Sequence, residues 1–432
     1  MNVRRNKRRF RACAAGILAC FLLLVPTGCK EEEEEPVTTE TTYETFEEHV
    51  ASVKTVTTAE DGTEVPIQIT LWYNDAAMTP YYEAAAVDFH DRYGIEVLCT
   101  YVDNVNYLEQ INQANIEKRG PDVFIASNDE VRKARMAGLT QCNTLYTEEF
   151  WAGHYPAVAK SAMTSDGKQY GYPIYLDTAV MIYDAAITAQ PESFGSITEF
   201  AVNFVDETNT KDIFRWDIAD PFYDYLFLGT GAQIFGDTGE DTGLFNVNNE
   251  NVIQSMTYYQ SLHDYFSIDV DSSSYEQIKS KLTDGTLVYG IVKTDVLSEL
   301  GSYGSSYALC PVPPLSGELP VKNLSVTYGA FVSDFTRQSE YANLFAAYLS
   351  YEYAGNLFGL SRRTAVRSDL NRADANEAII YEQYCNTNPV PKALENGDFW
   401  IYTEICFKNI WNGSDVATEL SQLQEKMLER LK

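Results

Sequence analysis

The feature that most constrains the fold is a strand–helix rhythm that opens at residue 67 and repeats three times. Ile67-Gln68-Ile69-Thr70-Leu71-Trp72-Tyr73 is apolar and alternating, the pattern of a strand with one face on a core. Tyr81 to Tyr93 has helical spacing and stops at Gly94, and Ile95 to Tyr101 reads as a second strand. Tyr107 to Lys118 is a helix stopped by Gly120-Pro121. Val123 to Ala126 is a short buried strand, and Val131 to Ala137 a helix ending at Gly138. This βαβαβα order implies a mostly parallel sheet with helices on both faces. Ligands of such sheets sit beyond the carboxyl ends of the strands. Those ends are Trp72 to Asp75 and Ser127 to Asp129.

The first 66 residues stand apart from this rhythm. Arg4, Arg5, Lys7, Arg8, Arg9 and Arg11 precede an apolar stretch from Ala12 to Val25, followed by Pro26-Thr27-Gly28-Cys29. A basic start, a short apolar segment and a small-residue site make a secretory signal over 1–28. The apolar segment falls short of the roughly 20 residues that span a membrane. Gly28-Cys29 resembles a bacterial lipobox, which implies a lipidated Cys29 anchoring the chain to the outer face of the cytoplasmic membrane. Pro26 departs from the usual lipobox, and simple cleavage and release is the alternative. Glu31 to Glu35 is a self-repelling run, and Thr38 to Thr58 is rich in Thr and Glu. Residues 29–66 therefore read as an acidic flexible tether with a reach on the order of 35 Å. A short helix near Phe46 to Val53 is the competing reading.

Charge narrows the partners. The chain carries 62 acidic and 32 basic residues, a formal charge of −30. Loss of the six basic residues of the signal makes the exported chain still more acidic. Nucleic acid is an unsuitable partner, because phosphate requires a basic face. Beyond Cys29 the cysteines are Cys99, Cys142, Cys310, Cys385 and Cys406, an odd set with no CxxC, read as mostly buried small apolar residues. The four His form no HExxH and show no zinc spacing. Gly229-Thr230-Gly231 lacks the third Gly of a dinucleotide loop, and Asp269-Val270-Asp271 lacks the Gly and Glu that complete a calcium loop. No cofactor or metal is expected.

Several stretches, in order, resemble the bacterial extracellular solute-binding proteins of the group that includes maltose-binding protein. They are Leu71-Trp72-Tyr73-Asn74, Tyr93-Gly94-Ile95-Glu96-Val97, Gly120-Pro121-Asp122-Val123, Ala137-Gly138-Leu139 and Asp166-Gly167-Lys168 with Tyr170-Gly171-Tyr172-Pro173-Ile174. Further on come Met181-Ile182-Tyr183, Ala219-Asp220-Pro221-Phe222-Tyr223 and Trp411-Asn412-Gly413 before a closing helix, so the likeness runs from about residue 67 to the end. The resemblance implies a two-lobed periplasmic-binding-protein-like α/β fold, each lobe a sheet flanked by helices, with a hinge between. The crossings it implies are Asp177 to Tyr183, Val288 to Asp295, and Tyr328 to Ala330. That gives a first lobe of 67–176 plus 294–328 and a second of 177–293 plus 329–432.

A sugar ligand needs flat aromatic faces and fixed acceptors for its hydroxyls. Asn74, Asp75 and Asp129 follow strands, although Asn74 also suits a turn and Asp129 a helix N-cap. The resemblance implies cleft positions for Asp177 with Tyr175 nearby, for Asp220, Phe222 and Tyr223, and for Trp400 in Asp398-Phe399-Trp400-Ile401. The crossings add Thr294 and Tyr328. Trp72 and Trp216 compete as core residues. Val292-Lys293-Thr294 stands where the family often has Gly-Pro-Trp, which puts a second-lobe stacking residue in doubt.

The implied function is that of a monomeric substrate-binding lipoprotein of an ABC importer, not an enzyme. It would capture a carbohydrate, with an oligosaccharide favoured, and deliver it to a membrane permease. The acidic cleft leaves a polyamine open as the solute. A lipoprotein glycoside hydrolase is the third reading, since two suitably spaced carboxylates suffice for that chemistry.

Overall fold

The computed structural model describes residues 42–54, 57–58, 64–207, 210–229, 231–317 and 319–432. The expected signal, Cys29 and the Glu31 to Glu35 run lie outside these residues. The expected tether does not remain free throughout. Helix α1 (Phe46–Ser52) is capped by Thr45, whose hydroxyl accepts from the Glu48 amide at 3.2 Å. Its Phe46 ring packs between Tyr348 and Tyr351, and its buried His49 stacks on Tyr43 at 4.7 Å and bonds the Tyr146 hydroxyl at 2.9 Å. The composition there is polar, but two inward rings suffice to dock the turn. This corrects the tether reading for residues 42–54.

From 67 onward the elements follow the expected rhythm: β1 (Ile67–Tyr73), α2 (Thr79–Tyr93), β2 (Ile95–Tyr101), α3 (Tyr107–Ile116), β3 (Val123–Ser127) and α4 (Val131–Met136). β1 pairs in parallel with both β2 and β3. Alternation sends Ile67, Ile69, Leu71 and Tyr73 to one buried face, while Trp72 and Phe124 face the layer under α3 and α4. Gly94 ends α2 at φ +69°, a left-handed turn that favours glycine.

β4 (Tyr172–Asp184) is the spine of the molecule, with 13 residues nearly all buried. The other elements used below are α5 (Phe194–Asn203), β5 (Asp212–Arg215), α6 (Pro221–Asp224), α7 (Glu250–Ser261), α8 (Tyr275–Thr283), β6 (Leu287–Lys293), β7 (Tyr307–Cys310) and β8 (Leu324–Val332). They are followed by α9 (Ser339–Ala347), β9 (Thr364–Ala365), α10 (Ala375–Cys385), β10 (Asn388–Pro389), α11 (Asn396–Trp411) and α12 (Val416–Arg430). The strand path is β2-β1-β3-β8-β4-β6-β5. β4 changes partners along its length: Tyr172 to Thr178 pair with β8, and Ala179 to Tyr183 pair with β6. One half-sheet thus continues into the other through a single strand.

Pairing redraws the expected lobe boundaries. The first crossing stands where β4 switches partners. β6 was expected to return to the first lobe, but it pairs only with β4 and β5 of the second half. The return is β8, whose Leu324 and Ser325 lie beside β10 and whose Tyr328 to Val332 pair with β3. α9 then packs beside α2, with Phe345 against Phe89, α10 packs over β4, β7 and β9, and the chain re-enters the second half through β10. By pairing, β7 lies beside the second-half stretch of β4, and Gly329 to Val332 lie beside β3 of the first half, the opposite of the sides expected for them. A buried apolar strand reads the same whichever sheet it joins, so sequence pattern carries no sign of its partner.

Behind β10 a loop of the second half grips the first. The Glu240 carboxylate accepts from Ser165 Oγ at 2.5 Å and the Asp166 amide at 3.0 Å. The buried Lys392 ammonium donates to the Ser161 and Thr164 carbonyls, each at 2.6 Å. Burial pulls this ammonium down to about 8. Gly239, at φ +69°, lies so close that a Cβ there would meet Pro391 Cα at 2.8 Å.

None of the five described cysteines forms a disulfide; Cys310 and Cys406 are buried, and Cys385 is exposed.

Candidate functional site

The two halves meet at a cluster of rings and carboxylates beside the crossing strands. β4 and β8 set Tyr175 directly opposite Tyr328, and their rings stack at 4.4 Å with planes 4° apart. Tyr175 is buried beneath and Tyr328 is half-exposed above, so the pair forms a platform. The Tyr175 hydroxyl donates to Asp75 Oδ2 at 3.3 Å. Asp75 caps the turn after β1 through the Ala77 amide and holds Arg363 at 3.0 Å. Burial works against the Arg363 charge, but Asp75 and Asp177 outweigh it and hold the guanidinium above its usual range.

Asp177 lies where β4 crosses. Its Oδ1 accepts from both the amide and the hydroxyl of Thr294, at 3.1 and 2.6 Å. That contact ties the crossing strand to the turn after β6. Thr294 is buried, so it serves Asp177 and offers no stacking surface.

The second half contributes α6 and its surroundings. Asp220 caps α6 through the Phe222 amide at 2.9 Å, and its other oxygen lies 3.8 Å from Lys293 Nζ. That ammonium sits 4.6 Å above the Phe222 ring and 5.3 Å from Tyr223. Tyr223 is only 1% exposed, and its hydroxyl has no hydrogen-bond partner among the described residues. Burial pushes that hydroxyl far above its ordinary pKa, and the Asp177, Asp220, Asp295 and Asp217 carboxylates add to the push. The neighbouring Tyr275 donates to Asp295 at 2.6 Å and accepts from the Lys293 amide at 3.2 Å.

The structure therefore gathers Asp75, Tyr175, Asp177, Asp220, Phe222, Tyr223, Thr294 and Tyr328 into one region. Asp129 borders it: its charge acts on Tyr328, and it accepts from Ser127 Oγ at 2.6 Å. No helix-capping bond to its carboxylate occurs among the described residues, so the N-cap alternative is not what forms. Asn74 is exposed at the strand end, with no side-chain partner among the described residues. Trp400 lies half-buried on α11, the helix packed against α6, with Phe399 as its ring neighbour at 5.0 Å. Trp216 is core, fully buried and bonded to Asp224 at 2.7 Å. Trp72 stays outside the cluster.

Sequence reasoning missed Arg363, Lys293, Tyr275 and Asp295. Lys293 was noticed only as a departure from the family pattern. Arg363 follows the helix 357–361, in a stretch expected to belong to the other half. Among the described residues no group of His, Cys, Asp or Glu is arranged to hold a metal ion. Chemically the region offers aromatic faces, hydroxyl donors and carboxylate acceptors, which suits recognition of a polar ring-bearing solute.

Residues 84–354 match the model of the bacterial extracellular solute-binding protein family. The chain is 21% identical over 341 residues to the maltodextrin-binding protein MdxE of Bacillus subtilis, covering 75% of this chain and 80% of that one. It is 25% identical over 213 residues to a maltooligosaccharide ABC transporter solute-binding lipoprotein of Streptococcus pneumoniae, covering 48% and 49%. The fold matches the extracellular solute-binding protein of Staphylococcus aureus solved with maltose, at a TM-score of 0.76 and 18% identity over 85% of this chain and 99% of that chain. A cyclo/maltodextrin-binding protein complexed with maltotetraose matches with the same TM-score at 19% identity, over 85% and 98%. On its sequence and its fold, the chain belongs to the bacterial extracellular solute-binding protein family.

Proposed function

We propose that this protein is the substrate-binding lipoprotein of an ABC importer, holding a short saccharide of the maltodextrin kind between its halves. The observation that carries this reading is the buried, unpartnered Tyr223 hydroxyl among carboxylates and rings. It is a donor that a ligand acceptor would satisfy, next to acceptors that match sugar hydroxyls. The Tyr175–Tyr328 platform belongs to the first half, and Phe222 and Tyr223 to the second. A bound ring touches both sets only when the halves close on it, so ligand shifts the open–closed population. The closed, loaded form is the one a permease would recognise. Cys29 supplies the lipid anchor.

The relatives' names favour saccharide over other solutes. With Thr294 engaged by Asp177, the second half lacks one stacking surface, which favours a short ligand. Polyamine remains the competing solute, because Asp75, Asp177, Asp220 and Asp295 outnumber Arg363 and Lys293 in the cluster. No catalytic step is assigned. A thermal-shift screen of maltose, maltotriose, maltotetraose and spermidine tests the choice. Stabilisation by a saccharide, growing with concentration above its Kd, supports the proposal. Stabilisation by spermidine alone overturns it.

A further inference from the structure

We propose that the outer face of the first half carries a second saccharide-binding groove, centred on Trp72 and separate from the cleft. Strand alternation on β1 turns Leu71 and Tyr73 into the main core and Trp72 to the opposite face. There α3 covers the sheet with Tyr107, Ile111 and Ala114, and the indole packs against this layer while staying only partly buried. The indole lines a groove of about 350 Å3, with none of the cleft residues in its wall. Its N–H has no protein partner among the described residues.

The wall is unusual for so acidic a chain. Four amides surround the indole, Asn104, Asn106, Gln110 and Gln113, against a single carboxylate, Glu109. Two of the amides are fixed in place. Asn104 Nδ2 donates to Gln110 Oε1 at 2.6 Å, and Asn104 Oδ1 accepts from the Asn106 amide at 2.8 Å. The Gln110 amino group and the side chains of Asn106 and Gln113 keep their capacity, with no other protein partner among the described residues.

An apolar ring face beside amides that both donate and accept matches one chemical class. A hexose ring lays its C–H face on an aromatic, and its neighbouring hydroxyls each need a donor and an acceptor. Carboxylate-poor walls disfavour a polyamine, and the lone Arg119, already held by Glu117 at 2.5 Å, disfavours an anion. The groove would hold a polymeric glucan against the exported protein while the cleft takes a short chain.

Affinity electrophoresis through gels containing soluble starch reads the groove, and calorimetric titration with maltotriose reads the cleft. The full exported chain is compared with Trp72→Ala and with the Asn106→Ala/Gln113→Ala double variant, whose substitutions lie on the surface and spare the core. Both variants are expected to lose about fivefold or more of the starch retardation, the loss typical of a stacking or hydrogen-bonding anchor, with maltotriose affinity within about twofold. Retardation unchanged in the double variant, absent in the wild type, or lost only in step with maltotriose affinity overturns the groove. Loss of retardation in the variants of a protein that binds no maltotriose keeps the groove and removes the saccharide reading of the cleft. Maltotriose binding with undiminished retardation does the reverse.

Discussion

Tyr223→Phe separates a binding role from a packing role by the sign of two measurements. In the free protein the Tyr223 ring packs at 5.8 Å from both Phe222 and Tyr275, and its hydroxyl is buried without a partner. An unsatisfied buried polar group costs about 1–3 kcal/mol. Phe keeps the ring and removes the hydroxyl, so the free protein should gain about that amount. With an unfolding entropy of about 2 cal/mol/K per residue, a body of this size should rise by about 1–4 °C in Tm. The ligand complex should move the other way. If the hydroxyl donates to the bound solute, its loss removes about 0.5–1.5 kcal/mol, a weakening of about two- to tenfold. Differential scanning calorimetry of the free protein and titration with maltotriose provide the two numbers. A lower Tm would mean that the hydroxyl is satisfied within the protein. A higher Tm with unchanged affinity would mean that it does not meet the ligand.

Three further outcomes follow from particular contacts. Trp400→Ala should weaken saccharide binding by about 1–3 kcal/mol with the fold intact, and unchanged affinity by calorimetry would remove Trp400 from the site. Burial depresses the His49 imidazole from 6.5 to about 4, so between those values the unfolded chain binds a proton that the folded chain does not. Stability is therefore full above pH 6.5 and falls as pH drops towards 4, by on the order of 3 kcal/mol. Denaturant titrations of wild type and His49→Phe should diverge across that window, and parallel curves would refute the assignment. Gly239→Ala forces a side chain into a left-handed backbone position and against Pro391, and should cost about 1–3 kcal/mol. A denaturation midpoint equal to wild type would show that the loop relaxes freely.

The legible parts of this fold are those with a strong period. β1, β2 and β3 with the helices between them stood out because each helix is stopped by Gly94, Gly120-Pro121 or Gly138 and each strand alternates or is wholly apolar. The path of the chain between halves was not legible. β4, β6 and β8 are all buried apolar runs, and only hydrogen-bond pairing shows that β8, not β6, carries the chain back. In the candidate site, Asp75 stood out as a strand-end residue, and Tyr175, Asp177 and Tyr223 only through the family resemblance. Arg363 and Lys293 did not stand out, because a basic residue in a loop looks solvated until its partner is seen. Their partners, Asp75 and Asp220, lie more than 70 residues away in each case. α1 stood only as the alternative to a tether, because its composition is polar and Phe46 and His49 are its buried residues.

The same separation explains how the site can respond to ligand. Asp75 and Arg363 are both first-half residues, and Asp220 and Lys293 both second-half residues, so each half neutralises part of its own charge. Asp177 links the crossing strand to the second-half turn at Thr294, next to the Lys293–Ala179 pairing. Closure on a solute therefore brings together surfaces that are already ordered, which limits the ordering cost of binding.

The central claim is that the junction of the two halves binds a saccharide. Calorimetric titration of the exported chain with maltotetraose, and separately with spermidine, tests it most directly. Saturable binding of one maltotetraose per chain is expected, with the negative heat-capacity change of apolar burial, and no saturable heat from spermidine. Saturation by spermidine with none by maltotetraose would contradict it.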